Sequence, residues 1–139
     1  MRILFIGSPP FGLPSFEVAL RSGHEVVGLM TPPAKRGGRG LSKTVNNLVP
    51  LAEASGIPVL RPPVASDGES LAAIEKLRPD LGIVVSYGQI LTAEFLDLPA
   101  LGALICTGLF CLAGEVPVPL KRRYLQGIPR RVFVSKKWF

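Results

Sequence analysis

Apolar residues fall along this chain in short unbroken runs, separated by stretches rich in proline, glycine and polar side chains. Ile3 to Ile6 form the first run, and Gly7 closes it. A segment that is apolar at every position suits a strand covered on both faces, so Arg2 to Gly7 is predicted as a buried β-strand. His24 to Thr31 (HEVVGLMT), Ile57 to Leu60 and Leu81 to Ser86 (LGIVVS) repeat the pattern, and Leu101 to Leu104 begins a fifth strand. Between these runs the spacing changes. Phe16, Val18, Ala19 and Leu20 follow Pro14-Ser15 and predict a short helix that Ser22-Gly23 stops. A second helix is expected from about Asn47 to Ser55, with Gly56 at its C-terminal stop. Pro50 fits there only in the first turn, because mid-helix it costs about 3 kcal/mol. Ser66-Asp67 can cap a third helix from about Glu69 to Leu77, whose Leu71, Ile74 and Leu77 share one side. Arg78-Pro79-Asp80 breaks it, and Thr92 to Leu96 predicts one more helical turn.

Strands alternating with helices imply right-handed βαβ crossovers and a parallel sheet, an α/β fold. Ligands of such sheets bind outside the carboxyl ends of the strands. Three stretches are thereby brought near a site: GSPPFG after the first strand, the Pro-, Gly- and cation-rich PPAKRGGRGLSK after the second, and SYGQIL. GSPPFG is neither a dinucleotide fingerprint nor a P-loop. His24, the only histidine, opens the second strand at the opposite end and reads as structural.

Composition narrows the class. Apolar residues make up 47% of 139 residues, enough for one small domain with a real core or for part of a larger one. The longest apolar runs are far too short to span a bilayer, and the opening MRILFIGSPP lacks the long apolar region of a secretory signal. The expectation is a cytoplasmic protein with no membrane partner. Cys106 and Cys111 form no C-x-x-C pair and complete no zinc set with the single histidine, so they read as small half-buried hydrophobes. The net charge of +6 would point to nucleic acid if it were spread over the chain. It is not: through Leu104 nine Lys/Arg balance nine Asp/Glu, whereas from Ile105 onward seven Lys/Arg face one Glu.

Several segments together are specific. MRILFIGSPPFGLPSFEVALRSGHEVVGLMT, TPPAKRGGRG, GIPVLRPP, RPDLGIVVSYGQIL and LDLPALGAL stand in the order and spacing of the methionyl-tRNA formyltransferases, which residues 1–104 resemble almost throughout. Sugar-nucleotide formyltransferases and formyltetrahydrofolate hydrolases are similar more loosely, and the Gly38-Arg39-Gly40 loop favours the tRNA-acting branch. The resemblance implies a Rossmann-like domain followed by a β-barrel domain, with residues 1–104 forming an incomplete version of the first. It implies transfer of a formyl group from 10-formyltetrahydrofolate to the amino group of initiator methionyl-tRNA. By the same resemblance Ser86, Tyr87, Gly88, Gln89, Ile90 and Leu91 line the folate pocket, largely with backbone groups that suit the donor/acceptor edge of a flat pterin. Lys35, Arg36, Arg39 and Lys43 belong to the stretch that contacts the tRNA acceptor end, where they could neutralise phosphates. Tyr87 and Phe11 are aromatic at this end and are read either as stacking surfaces or as packing for the strand ends. The resemblance gives no oligomeric state.

The family places its catalytic Asn and His just after LGAL, in a pattern like NLHGSLLPRWRGA, with an Asp further on. Here ICTGLFCLAGEVPVP follows, and no Asn, His or Asp occurs from Ile105 to the end. Back-translation accounts for the break. If each codon takes the last base of one residue and the first two of the next, the Leu104–Ile105 junction admits Asn and Ile105–Cys106 admits Leu. Cys106–Thr107 admits only His or Tyr, and Thr107–Gly108 admits Gly. The codons go on to permit L-P-R-W-R-G-A through Pro117, P-I-Q within Val118–Lys121, L-A-G-D within Tyr124–Ile128 and T-G-V within Arg130–Phe133. One lost base near the codon of Leu104 therefore makes residues 105–139 an out-of-frame tail, expected to be poorly ordered because its pattern was not selected for this fold. It also explains the +6 charge. The chain as printed is expected to be catalytically inactive, to lack the later sheet elements and the second domain, and to dissolve poorly through an uncovered sheet edge. The alternative expectations are a residual folate- or RNA-binding fragment, or another formyltransferase-superfamily enzyme of the sugar-nucleotide formyltransferase or formyltetrahydrofolate hydrolase type.

Resequencing the source DNA across the codons for Leu101 to Gly108 is expected to reveal one additional base. Bases that stand as printed would make the truncated product genuine.

Overall fold

A computed structural model describes residues 1–33 and 46–106 and the backbone of Phe133–Val134. Strands β1 (Arg2–Gly7), β2 (Glu25–Met30), β3 (Val59–Leu60), β4 (Leu81–Val85), β5 (Ala103–Cys106) and β6 (Phe133–Val134) alternate with helices α1 (Gly12–Arg21), α2 (Leu48–Ala54), α3 (Gly68–Leu77) and α4 (Ala93–Asp97) up to β5. The strands form one sheet in the order β3-β2-β1-β4-β5-β6, and every pairing is parallel. This is the expected Rossmann-like α/β architecture.

The apolar runs work as predicted because the sheet is covered on both faces. Along β1 successive side chains alternate. Leu4 and Ile6 join Met30, Ile74, Val84, Phe95 and Leu96 in one half of the core, against α3 and α4. Phe5 joins Phe16, Leu29, Leu48, Ala52 and Val85 in the other half, against α1 and α2. The Phe5 and Phe16 rings meet at 5.0 Å between centroids, tilted by 57°. Gly28 in β2 is needed for closeness: a Cβ there would stand 2.8 Å from Leu77 Cδ1 and 3.1 Å from Leu4 Cδ1.

Local signals set the helix ends. The Asp67 carboxylate accepts from the Ser70 amide at 2.7 Å and starts α3. Thr92 does the same for α4, accepting from the Phe95 amide at 3.3 Å. Pro50 lies in the first turn of α2, where its missing N–H is not needed. At the amino-terminal edge, the Arg2 amide donates to Asp80 Oδ2 and the Asp80 amide donates back to the Arg2 carbonyl, both at 2.7 Å. The Arg2 guanidinium also donates to the Leu77 and Arg78 carbonyls, joining the end of α3 to the start of β1.

Two strands differ from expectation. β3 begins at Val59 rather than Ile57, since the Ile57 amide is spent on the Ala52 carbonyl that closes α2. Pro58 has no N–H and only accepts, from the Leu29 amide. β5 begins at Ala103 rather than Leu101. The Leu101 amide donates to the Asp80 carbonyl, and Gly102, at φ +84°, turns the chain before the ladder starts. β5 then runs through Ile105 to Cys106, so those two residues of the 105–139 stretch are ordered in the sheet. Of the remainder only β6 is described, its backbone pairing Phe133 with Leu104 and Val134 with Ile105.

Substitution Gly28→Ala is expected to lower unfolding stability by about 1–3 kcal/mol, because the methyl group overpacks the β2–α3 contact. Urea unfolding followed by circular dichroism checks this. Gly23→Ala, where nothing lies within 4 Å of the new Cβ, should not show that loss.

Candidate functional site

The strand order reverses direction around β1: the chain first builds outward through β2 and β3, then returns to add β4 on the other side. In open α/β sheets the ligand crevice lies at such a switch point, here at the carboxyl ends of β1 and β4. Gly7, the last residue of β1, pairs with Val85, the last of β4. GSPPFG and SYGQIL therefore leave the sheet side by side. Ser8 ties them together, its amide donating to the Val85 carbonyl at 3.3 Å and its hydroxyl to the Tyr87 carbonyl at 3.2 Å.

The six residues expected to line the folate pocket form one irregular turn. Ser86 has φ +49° and Gly88 φ +81°, so the backbone twice enters the left-handed region and bends away from the strand direction. Only Gly88 adopts this without a Cβ penalty, which makes Ser86 the strained residue of the turn. The side chains then divide. Leu91 packs against the core, Ile90 is 90% exposed, and Gly88 is exposed. Among the described residues no partner is seen for the main-chain groups of Gly88 and Ile90, both exposed residues. The Gln89 side-chain oxygen accepts from the Ala65 amide at 2.9 Å.

Tyr87 turns the other way. It is 3% exposed, packed among Leu4, Ile6 and Phe95, and its hydroxyl is buried without a hydrogen-bond partner among the described residues. The buried ring packs the strand end, and the Tyr87 carbonyl accepts from the Ser8 hydroxyl. Desolvation of the phenol pushes its pKa up to about 12. Phe11, half exposed in the β1–α1 loop, remains at the surface. His24 is exposed at the amino-terminal end of β2, away from the crevice.

Lys35, Arg36, Arg39 and Lys43 lie outside the described residues. The two ends of their loop are joined, since the Asn46 amide nitrogen donates to the buried Thr31 hydroxyl at 2.8 Å. A depression of about 650 Å³ at the opposite end of the sheet is lined by Glu75, Lys76, Arg78 and Asp80 among others; its charges are mixed and no unsatisfied buried polar atom points into it. Among the described residues no three His, Cys, Asp or Glu side chains converge to hold a metal, and no helix is long and apolar enough to cross a membrane.

Sequence reasoning found the SYGQIL turn but missed what holds it. Ser8, Ala65 and Ser66 come from other loops, and only the topology brings them to it. Nothing in their local sequence marks the role.

A parallel sheet covered on both faces, with an irregular turn at its switch point, defines a Rossmann-like α/β domain. The chain belongs to the formyl transferase family, whose model matches residues 1–108. It is 41% identical over 104 residues to the methionyl-tRNA formyltransferase of Alkaliphilus oremlandii, covering 75% of this chain and 34% of that protein. The enzyme of the same name from Syntrophus aciditrophicus is 40% identical over 104 residues, covering 75% of this chain and 33% of the relative. That from Moorella thermoacetica is 38% identical over 104 residues, with the same two coverages. The chain thus spans about a third of the length of these relatives.

Because the unfolded phenol ionises near pH 10 and the folded one near 12, the unfolded chain loses this proton first. Stability is therefore expected to fall as pH rises from about 10 to 12 and to be untouched by Tyr87 below that window. Tyr87→Phe should weaken the alkaline loss. At neutral pH it should leave stability unchanged or raise it by about 1 kcal/mol, since a buried unpaired hydroxyl is removed. Absorbance at 295 nm follows the titration, and thermal melts follow the stability.

Proposed function

We propose that residues 1–104 are the folate-facing part of a methionyl-tRNA formyltransferase, a cytoplasmic enzyme of translation initiation that takes its formyl group from 10-formyltetrahydrofolate. The observation that supports this reading is the Ser86–Leu91 turn: at the switch point of a formyl transferase domain the backbone is left-handed at Ser86 and Gly88, and the main-chain groups of Gly88 and Ile90 have no partner among the described residues. A pterin edge presents complementary donors and acceptors, and the turn supplies them from backbone positions that side-chain motion cannot disturb. In this reading Lys35, Arg36, Arg39 and Lys43 hold acceptor-end phosphates of initiator methionyl-tRNA. The names of the relatives support that substrate.

Formyl transfer requires the amine to attack the formyl carbon, an oxyanion to be stabilised and a proton to be taken from the attacking nitrogen. In this reading the Ser86–Leu91 turn binds and orients the folate, and the last two tasks belong to other residues. The family's Asn, His and Asp for them fall in the stretch where this chain reads ICTGLFCLAGEVPVP, and residues 105–139 contain none of the three. We therefore assign this stretch to out-of-frame reading and the chain to an inactive form of the enzyme. Matches of 104 residues to the relatives support a boundary in that region.

Calorimetric titration of the purified chain with 5-formyltetrahydrofolate is expected to show saturable binding. Incubation with 10-formyltetrahydrofolate and methionyl-tRNA is expected to show no formylation. Turnover would refute the assigned inactivity; no binding would refute the folate assignment.

A further inference from the structure

The Ser86–Leu91 turn is strained at Ser86 and has few backbone bonds of its own, so something must hold its shape. The structure shows three fastenings, each using a side chain. Ser8 donates to the Tyr87 carbonyl on the β1 side. On the opposite side Gln89 Oε1 accepts from the Ala65 amide at 2.9 Å, and Ser66 Oγ accepts from the Thr92 amide at 3.2 Å. The last two stitch the turn to the loop that follows β3. That loop is itself fixed, since Ser70 Oγ donates to the Val64 carbonyl and Asp67 caps α3. Ile90, between the Gln89 and Thr92 fastenings, is held 90% exposed rather than collapsing onto the core.

The Gln89 fastening is the least replaceable. Ala65 is 1% exposed and packs in the same core half as Tyr87, and among the described residues Gln89 is the one partner its amide has. Without that acceptor a buried N–H is left unsatisfied, and the two loops have reason to part.

We propose that Gln89 is a positioning residue: its side-chain oxygen, by holding the Ala65 amide, keeps the main chain of Ser86–Leu91 in the shape that receives the ligand. This rests on the assignment of that turn to folate. The chemistry asks for an acceptor at the end of a side chain of this length. Glutamate retains one, methionine has the length without it, and asparagine has it one methylene too short.

Calorimetric titration with 5-formyltetrahydrofolate, paired with amide hydrogen exchange, tests this on the full chain and its variants. Gln89→Met is expected to weaken binding about tenfold and to speed exchange at Ala65 about tenfold, the loss of one buried hydrogen bond. Gln89→Glu should recover most of both effects. If Gln89→Met does not fold, Gln89→Asn takes its place with the same expectation. Faster Ala65 exchange with wild-type affinity would overturn the proposal and leave the folate assignment standing. Wild-type chain that binds no folate, with exchange still dependent on Gln89, would overturn the folate assignment and the proposal with it.

Discussion

The pairing of β1 with β4 is the constraint on which the rest of this structure depends. β1 is central in the sheet, and its partner on the far side arrives only after β2, β3 and three helices have been laid down. Five register pairs, from Ile3 with Leu81 to Gly7 with Val85, join the two strands. At one end the pairing is locked by the reciprocal Arg2–Asp80 bonds; at the other it delivers Ser8 and Ser86 together. Both halves of the core and the crevice are consequences of it, because Leu4, Ile6 and Val84 floor one half while Phe5 and Val85 floor the other.

Much of this was legible in the sequence because burial on both faces leaves a plain trace. Ile3–Ile6 and LGIVV are apolar without interruption, and strands occupy both. Asp67 announced its helix through side-chain chemistry that acts within three residues, whereas Thr92, expected inside its helical turn, caps it instead. The errors arose where backbone groups had competing partners. Pro58 and the Ile57 amide shortened β3, and Gly102 with the Leu101 amide delayed β5. Hydropathy does not report where an amide goes. The fastening of the Ser86–Leu91 turn was invisible for a related reason: Ala65 and Gln89 are 24 residues apart, and only the folded sheet makes them neighbours.

The resemblance and the structure carry different parts of the functional reading. Family membership rests on the match over residues 1–108, and the geometry adds how the turn is shaped and held. In the proposed reading the groups for the chemical step would fall just past β5, where this chain reads ICTGLFCLAGEVPVP.

The Arg2–Asp80 lock spans 78 residues of chain. A nascent chain on the ribosome therefore emits β1 long before the strand that flanks it exists. Until β4 emerges, one edge of β1 has no partner and its apolar side chains have only part of their cover. Closing so long a loop costs entropy before any contact rewards it. The fold thus carries an interval during synthesis in which its central strand is open to other chains, and chaperone demand follows from topology alone.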